Sequence, residues 1–125
     1  NYLVKCNLSK VKYNIFGYKG KQVRDNIHSY DLINAFWHFH LKPKKGEVYN
    51  IGGSSKNSCS ILEAIKLIET MTNQKMIYSF KQKNRVGDHI CYISDITKLK
   101  KHYPNWKIKY SLKEIIGQII REMKN

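Results

Sequence analysis

The spacing of apolar residues along the chain predicts strands that alternate with helices. Residues 13–18 and 23–28 are rich in β-branched and aromatic side chains, and KGKQ between them predicts a turn that joins two extended segments. From Ser29 onward the apolar positions recur at helical spacing, and Pro43 follows where that helix has ended. This change of period predicts a strand that leads into a helix.

The same alternation continues along the rest of the chain. Three more short apolar runs predict strands, at 48–51, 76–80 and 89–93. Ser60 and Ser111 each stand three residues before a glutamate, which is the capping-box pattern of a helix start. Asp95 can cap another helix, which ends before Pro104. We therefore expect an α/β fold in which residues 1–125 form a single domain.

Net charge narrows the choice of partners. The formal charge is +14, and such an excess is typical of proteins that bind nucleic acid. However, only Arg24, Arg85 and Arg121 are arginines among 23 basic residues, and the lysines are spread from end to end. We therefore expect most of this charge to be solvated surface and expect no nucleic-acid partner. A small lysine-rich nucleic-acid-binding domain remains the alternative.

The sequence predicts neither a membrane-spanning segment, nor a disulfide framework, nor a metal site. No apolar run is near the eighteen or so residues that cross a bilayer, and the first residues lack a signal-peptide pattern, so we expect a cytoplasmic protein without a membrane partner. Cys6, Cys59 and Cys91 are odd in number and far apart, which predicts reduced, mostly buried thiols. The five histidines have no acidic or cysteine partner at ligand spacing, so we expect no metal site.

Two motifs suggest chemistry that the surrounding sequence does not support. Gly52 and Gly53 follow a predicted strand, but they lie in neither of the phosphate-binding patterns G-x-G-x-x-G and G-x-x-x-x-G-K-[ST], so they predict a simple turn. Tyr103 and Lys107 match the catalytic Y-x-x-x-K pattern, in which one helix carries both side chains. Pro104 interrupts that helix, and we expect no catalytic pair here.

Two arginine-containing segments form a more specific combination. VRDNIHSYDL contains Arg24, and NRVGDH, roughly sixty residues later, contains Arg85 and Asp88. With YNIFGYKGKQ, GEVYNIGGS and YISDITKLKKHYPNWK, they make the whole chain resemble the extended short-chain dehydrogenase/reductases that modify nucleotide sugars, the NAD-dependent epimerases and dehydratases. The resemblance implies the C-terminal substrate-binding lobe of a Rossmann-type α/β fold, with the N-terminal NAD-binding part missing.

The resemblance also implies a ligand and the residues that hold it. Arg24 and Arg85 would clamp the diphosphate of a nucleotide sugar, expected to be a CDP-sugar, because planar guanidinium groups match phosphate oxygens. Four further residues would line the nucleotide: Phe16 near the base, Tyr92 beside the ribose or base, Asn26 and Asp88. Asp25 would instead hold the turn into the helix that begins at Ser29. The intact enzyme would use NAD to remove a hydride at C2 of the sugar and return it to the opposite face.

The sequence departs from the family where the chemistry is performed. It contains no G-x-x-G-x-x-G and no usable Tyr-x-x-x-Lys, which the family carries in a part that would precede Asn1. We therefore expect no catalytic residue, no bound cofactor and no activity in this segment alone, and a missing Rossmann half as a partner. An inactive truncated remnant is the second alternative.

Overall fold

The structure, a computed structural model, describes residues 1–81 and 87–125. Within these ranges the helices are α1 (Tyr2–Leu8), α2 (Ser29–Leu41), α3 (Ile61–Thr72), α4 (Thr97–His102) and α5 (Leu112–Lys124). The strands are β1 (Tyr13–Phe16), β2 (Val23–Asp25), β3 (Ser58–Ser60), β4 (Tyr78–Lys81) and β5 (Cys91–Tyr92). The mixed α/β fold predicted from the sequence is confirmed.

The chain divides into two compact units, each assembled from segments that are distant in the sequence. Unit 1 contains Asn1–Arg24, Cys59–Tyr92 and Lys113–Asn125. Unit 2 contains Asp25–Ser58 and Ile93–Leu112. That residues 1–125 act as a single domain stays a prediction.

Parallel strand pairs provide the sheet structure of unit 1. Strand β1 pairs in parallel with β4, and Ile15 lies opposite Phe80. Strand β2 pairs in parallel with β5, and Arg24 lies opposite Tyr92 in that register. The second sheet has the strand order β3-β2-β5. Parallel pairing brings together strands separated by more than sixty residues, as expected for connections that contain helices.

Helix α3 begins in unit 1 at the predicted capping box. The Ser60 Oγ accepts a hydrogen bond from the Glu63 backbone N–H at 3.2 Å, and the Glu63 carboxylate accepts one from the Ser60 N–H at 2.7 Å. The helix buries Ile65 and Ile68, and it ends at Asn73 in the left-handed conformation with φ 53°. The predicted capping box is therefore confirmed. Its two residues are only three positions apart, so the pattern can be recognised from the sequence alone.

Helix α1 has no counterpart among the predicted elements. Asn7, at its end, is 1% exposed and donates through Nδ2 to the Gln74 carbonyl at 2.8 Å. The Asn7 Oδ1 accepts a hydrogen bond from the Thr72 hydroxyl at 2.8 Å. A buried amide that is satisfied in this way fixes α1 to the end of α3.

The core of unit 2 forms around Trp106, which is 1% exposed and packs with Ala35, Ile96, Leu99 and Tyr103. The indole N–H of Trp106 donates to the Asp31 carbonyl at 3.0 Å. Burial of a large aromatic side chain contributes strongly to stability when its polar atom also has a hydrogen-bond partner.

Asp31 of α2 is fully buried in unit 2. Its two carboxylate oxygens accept hydrogen bonds from the backbone N–H groups of Lys109 at 3.0 Å and Tyr110 at 3.1 Å. Because both oxygens bind backbone, Asp31 fixes the segment before α5 against the first turn of α2.

The predicted strand at 48–51 is wrong. These residues are irregular, and Val48 is 79% exposed. The segment is held by side chains instead: Tyr49 and Ile51 pack against the core of unit 2, and the Lys98 ammonium donates to the Val48 carbonyl at 3.1 Å. The predicted strands at 76–80 and 89–93 do form, but they are reduced to β4 and β5.

We expect Asp31→Ala to lower the free energy of unfolding by about 3 kcal/mol, because two buried backbone N–H groups lose their acceptor. Urea denaturation of the variant and the wild type measures the difference. Asp31→Asn keeps the shape and one acceptor oxygen and should fall between them. A loss below about 1 kcal/mol for Asp31→Ala would contradict the assigned role.

The capping box gives a prediction for pH. The pKa of Glu63 is lowered, chiefly by the hydrogen bond from the Ser60 backbone N–H. A lowered pKa in the folded state stabilises the protein above the unfolded value of about 4.3, and this contribution disappears as pH falls through the folded value. The thermal midpoint of the wild type should therefore exceed that of Glu63→Gln at pH 6, and the gap should narrow as the pH is lowered from 6 to 3. A constant gap across this range would show that the charge is not responsible.

Candidate functional site

Arg24 lies in unit 1, on β2, with its guanidinium held by three acceptors. The Nη2 atom is 2.6 Å from Asp88 Oδ1 and donates to the His89 carbonyl at 2.6 Å. The Nη1 atom donates to the Val23 carbonyl at 2.8 Å. The side chains of Arg24 and Asp88 are 35% and 21% exposed, so the pair remains in contact with solvent.

Asp88 also binds the segment that precedes β2. Its second carboxylate oxygen, Oδ2, accepts a hydrogen bond from Gln22 Nε2 at 2.8 Å. Its backbone carbonyl accepts one from the Tyr18 hydroxyl at 3.2 Å. Asp88 therefore joins the chain after residue 86 to Tyr18, Gln22 and Arg24, and its carboxylate has a different partner on each oxygen.

A tight turn precedes Gln22 and Arg24 and places both side chains next to Asp88. Gly17, Tyr18, Lys19 and Gly20 all have positive φ, from 45° to 74°. A Cβ on Gly20 would lie 2.9 Å from Leu62 Cγ, so both the conformation and the packing require glycine there. The predicted turn between the two extended segments is confirmed, but it begins at Gly17 and joins strands of different sheets, so it is not a hairpin loop.

Two of the predicted nucleotide-lining residues lie in the same unit as Arg24 and Asp88. Tyr92 lies opposite Arg24 in the parallel register and is 53% exposed. Phe16 is 39% exposed, and its carbonyl accepts a hydrogen bond from Gln22 Nε2 at 3.1 Å. Unit 1 therefore contains four of the predicted residues. Hydrogen bonds join Phe16, Arg24 and Asp88 with Gln22, which no sequence pattern had singled out.

The other two predicted site residues are placed differently. Asn26 lies in unit 2, where its backbone N–H and its Nδ2 both donate to the Asn57 carbonyl, at 3.0 Å and 3.3 Å. Arg85 lies outside the described residues. The binding roles assigned to all six residues stay predictions.

Asp25 has a structural role, but at a different place from the predicted one. In unit 2 its Oδ2 accepts hydrogen bonds from the backbone N–H groups of Ser54 and Ser94, each at 3.1 Å. The start of α2 is capped by His28, whose Nδ1 accepts from the Tyr30 N–H at 3.0 Å. Asp25 therefore holds the loop after Gly53 and the segment after β5, and His28 holds the turn into α2.

Gly52 and Gly53 are needed for close packing within unit 2. A Cβ on Gly52 would overlap the Asp25 carboxylate and the Ser94 hydroxyl. A Cβ on Gly53 would overlap the Asn26 carbonyl. Neither glycine has positive φ, so backbone proximity and not turn conformation selects them.

The Tyr103–Lys107 pattern does not form a catalytic pair. Helix α4 ends at His102, and Tyr103 is 4% exposed with its hydroxyl donating to the Lys42 carbonyl at 2.9 Å. Tyr49, also in unit 2, forms a 2.8 Å hydrogen bond with His102 Nδ1, and burial raises the pKa of its phenol to about 12. A phenol with a pKa raised in this way is not prepared to act as a base near neutral pH, so Tyr49 does not take the place of the missing pair.

The described ranges contain neither a metal-binding cluster nor a membrane-spanning helix. Residues 1–81 and 87–125 contain no group of three or more His, Cys, Asp or Glu side chains placed to hold a metal ion. No helix of the described part is long and apolar enough to cross a membrane. Cys6 is buried, but Cys91 is exposed and Cys59 is half-buried, so the prediction of mostly buried thiols is wrong.

The fold is shared with enzymes that act on nucleotide sugars. A dTDP-glucose 4,6-dehydratase from Bacillus anthracis, in complex with NAD, matches 99% of the chain with TM-score 0.82 and 27% identity. A UDP-glucose 4-epimerase from Thermotoga maritima, with UDP-glucose, matches 98% with TM-score 0.84 and 26% identity. The chain spans 38% of the length of each of these structures, and the fold that it shares with them is that of Rossmann-type epimerases and dehydratases.

Sequence comparison leads to the same family. Residues 1–52 match the model of the NAD dependent epimerase/dehydratase family. The CDP-paratose 2-epimerase of Salmonella typhi is 34% identical over 97 residues, which is 76% of this chain and 28% of that protein. The resemblance to this family that the sequence predicted is therefore confirmed, and the chain is similar, over part of their length, to NAD-dependent nucleotide-sugar epimerases. These relatives do not support the nucleic-acid-binding or inactive-remnant alternatives.

We expect Gly53→Ala to destabilise the protein by about 3 kcal/mol, because the new methyl group overlaps a backbone carbonyl that cannot rotate away. Gly46→Ala is the matched control: it has no atom within 4 Å of the new Cβ but has φ +70°, so it should cost only about 1 kcal/mol of conformational strain. Chemical denaturation of the two variants checks the order. Equal losses would mean that packing at Gly53 is unimportant.

Proposed function

We propose that this chain is the nucleotide-sugar-binding segment of an NAD-dependent nucleotide-sugar epimerase. The intact enzyme would act on a CDP-sugar, removing a hydride at C2 and returning it to the opposite face. The observation that carries the proposal is the position of Arg24, which Asp88 holds opposite Tyr92 in unit 1. The relative named CDP-paratose 2-epimerase supports the choice of base and of carbon atom.

In this proposal Arg24 binds the diphosphate. A guanidinium is planar and always protonated, and it can donate two parallel hydrogen bonds to phosphate oxygens. Arg85 would bind the same diphosphate from the segment that Asp88 joins to β2. Phe16 and Tyr92 are exposed aromatic side chains in the same unit, and such rings suit contact with a base or ribose.

In this proposal NAD is held by residues outside this chain. The sequence has no G-x-x-G-x-x-G, and the glycine pair Gly52 and Gly53 is packed against Asp25 and Asn26 within unit 2. Tyr103 and Lys107 are not carried by one helix. We therefore derive no hydride-transfer step from this chain, and we assign NAD binding and catalysis to the remainder of the intact enzyme.

The proposal predicts that CDP raises the thermal midpoint of the chain, because a ligand that binds only the folded state stabilises it. Arg24→Ala should weaken CDP binding at least tenfold, since it removes a charge-assisted phosphate contact worth roughly 1.5–3 kcal/mol. Arg24→Lys keeps the charge without the planar fork and should retain part of the affinity. Thermal shift and calorimetric titration measure these effects.

Arg121→Ala is the matched control, because it removes the same charge from the last turn of α5 in the same unit. It should bind CDP as the wild type does. The proposal fails if millimolar CDP produces no shift in the wild type, or if Arg24→Ala and Arg121→Ala bind equally well. Comparison of CDP with UDP tests the choice of base separately.

A further inference from the structure

We propose that Gln22 is a positioning residue for the diphosphate-binding arginine. Gln22 holds the carboxylate of Asp88, and Asp88 in turn holds the guanidinium of Arg24. This inference rests on the proposed function and adds to it a residue that would not itself contact the phosphates.

The geometry of Gln22 suits this role. Its Nε2 donates at 2.8 Å to Asp88 Oδ2 and at 3.1 Å to the Phe16 carbonyl. The other carboxylate oxygen of Asp88 is 2.6 Å from Arg24 Nη2. Because one amide and one guanidinium bind different oxygens, the plane of the carboxylate is fixed, and Arg24 has an acceptor of fixed direction.

The benefit of this arrangement is orientation. An arginine side chain has many rotamers in solution, and ordering it on ligand binding costs conformational entropy. The Arg24–Asp88 pair is partly exposed, and exposed ion pairs add little to stability. A guanidinium that is already ordered loses less entropy when a diphosphate binds, so the pair contributes to affinity more than to folding.

Gln22 also reduces the electrostatic disadvantage of Asp88. A carboxylate beside a diphosphate site repels the ligand unless its charge is directed toward donors. The Nε2 group of Gln22 donates to Asp88 Oδ2, while Arg24 Nη2 donates to Asp88 Oδ1, so both oxygens of the carboxylate face donors. Without this donor the Asp88 carboxylate can turn away from Arg24. The guanidinium then loses its fixed orientation, and the negative charge of Asp88 is no longer directed toward donors.

Gln22 further connects the two ends of the proposed nucleotide site. Through the Phe16 carbonyl it is tied to the residue expected near the base, and through Asp88 to the arginine expected at the diphosphate. Because the contact with Asp88 acts on the arginine proposed to bind the diphosphate, the loss of Gln22 should affect ligands with a diphosphate more than ligands with a single phosphate. This difference separates a positioning role from a general role in folding.

The test uses the full chain and measures dissociation constants for CDP and CMP by calorimetric titration. Gln22→Ala should weaken CDP binding about tenfold and CMP binding less than about threefold. Gln22→Glu places a second carboxylate against Asp88 and should weaken CDP binding further. Gln74→Glu makes the same chemical change after α3 in unit 1 and should leave both constants unchanged.

A rescue variant tests the contact itself. In the double variant Gln22→Glu with Asp88→Asn, the new amide can donate to the new carboxylate while its oxygen still accepts from Arg24. CDP affinity should recover to within about threefold of the wild type, with the remaining deficit due to the lost bond to Phe16. This variant keeps the proposal testable if Gln22→Glu alone does not fold.

The outcomes separate this inference from the proposed function. If the wild type binds no nucleotide, the proposed function fails. If the wild type binds CDP but Gln22→Ala binds it equally well, or loses CDP and CMP affinity by the same factor, only the positioning role of Gln22 is wrong. Failure of the double variant to recover affinity would also overturn that role.

Discussion

Buried carboxylates and amides hold the backbone of this chain where its strands are too short to do so. The strands contain between two and four residues, so ladder hydrogen bonds fix only a small part of the chain. Asp31 binds two backbone N–H groups near the start of α5, and Asn57 donates to the Tyr110 carbonyl at 2.8 Å and accepts from the Leu112 N–H at 3.1 Å. Within the described residues no buried side-chain nitrogen or oxygen lacks a partner, as these roles require.

A carboxylate also holds its neighbours in place at the candidate site, but this carboxylate is in contact with solvent. Asp88 binds Gln22 and Arg24 through its carboxylate, much as Asp31 binds two backbone groups. At the buried position the hydrogen bonds mainly provide stability, since an unmet donor there is costly. At the exposed position water can replace them, so their main effect is to select one side-chain orientation.

Local signals predicted the elements that depend on local interactions. The capping box at Ser60 is formed by residues three apart, and Pro104 correctly marked the end of α4. The strand predicted at 48–51 did not form, because its apolar residues pack on the core of unit 2 through side chains and no described strand pairs with them. Helix α1 was missed because a buried Asn7, which sequence alone marks as polar, holds it in place.

The site shows the same limit of sequence information. Arg24 and Asp88 were singled out by their motifs, but their pairing joins residues 64 apart, and the Gln22 contact spans 66. Neither separation carries a periodic signal. The pairing changes the expected chemistry of Arg24: under the proposed function, a diphosphate would not meet an isolated guanidinium but would share it with Asp88. Nucleotide affinity should then depend on how well phosphate oxygens compete with an internal carboxylate, and any residue that fixes that carboxylate contributes to recognition.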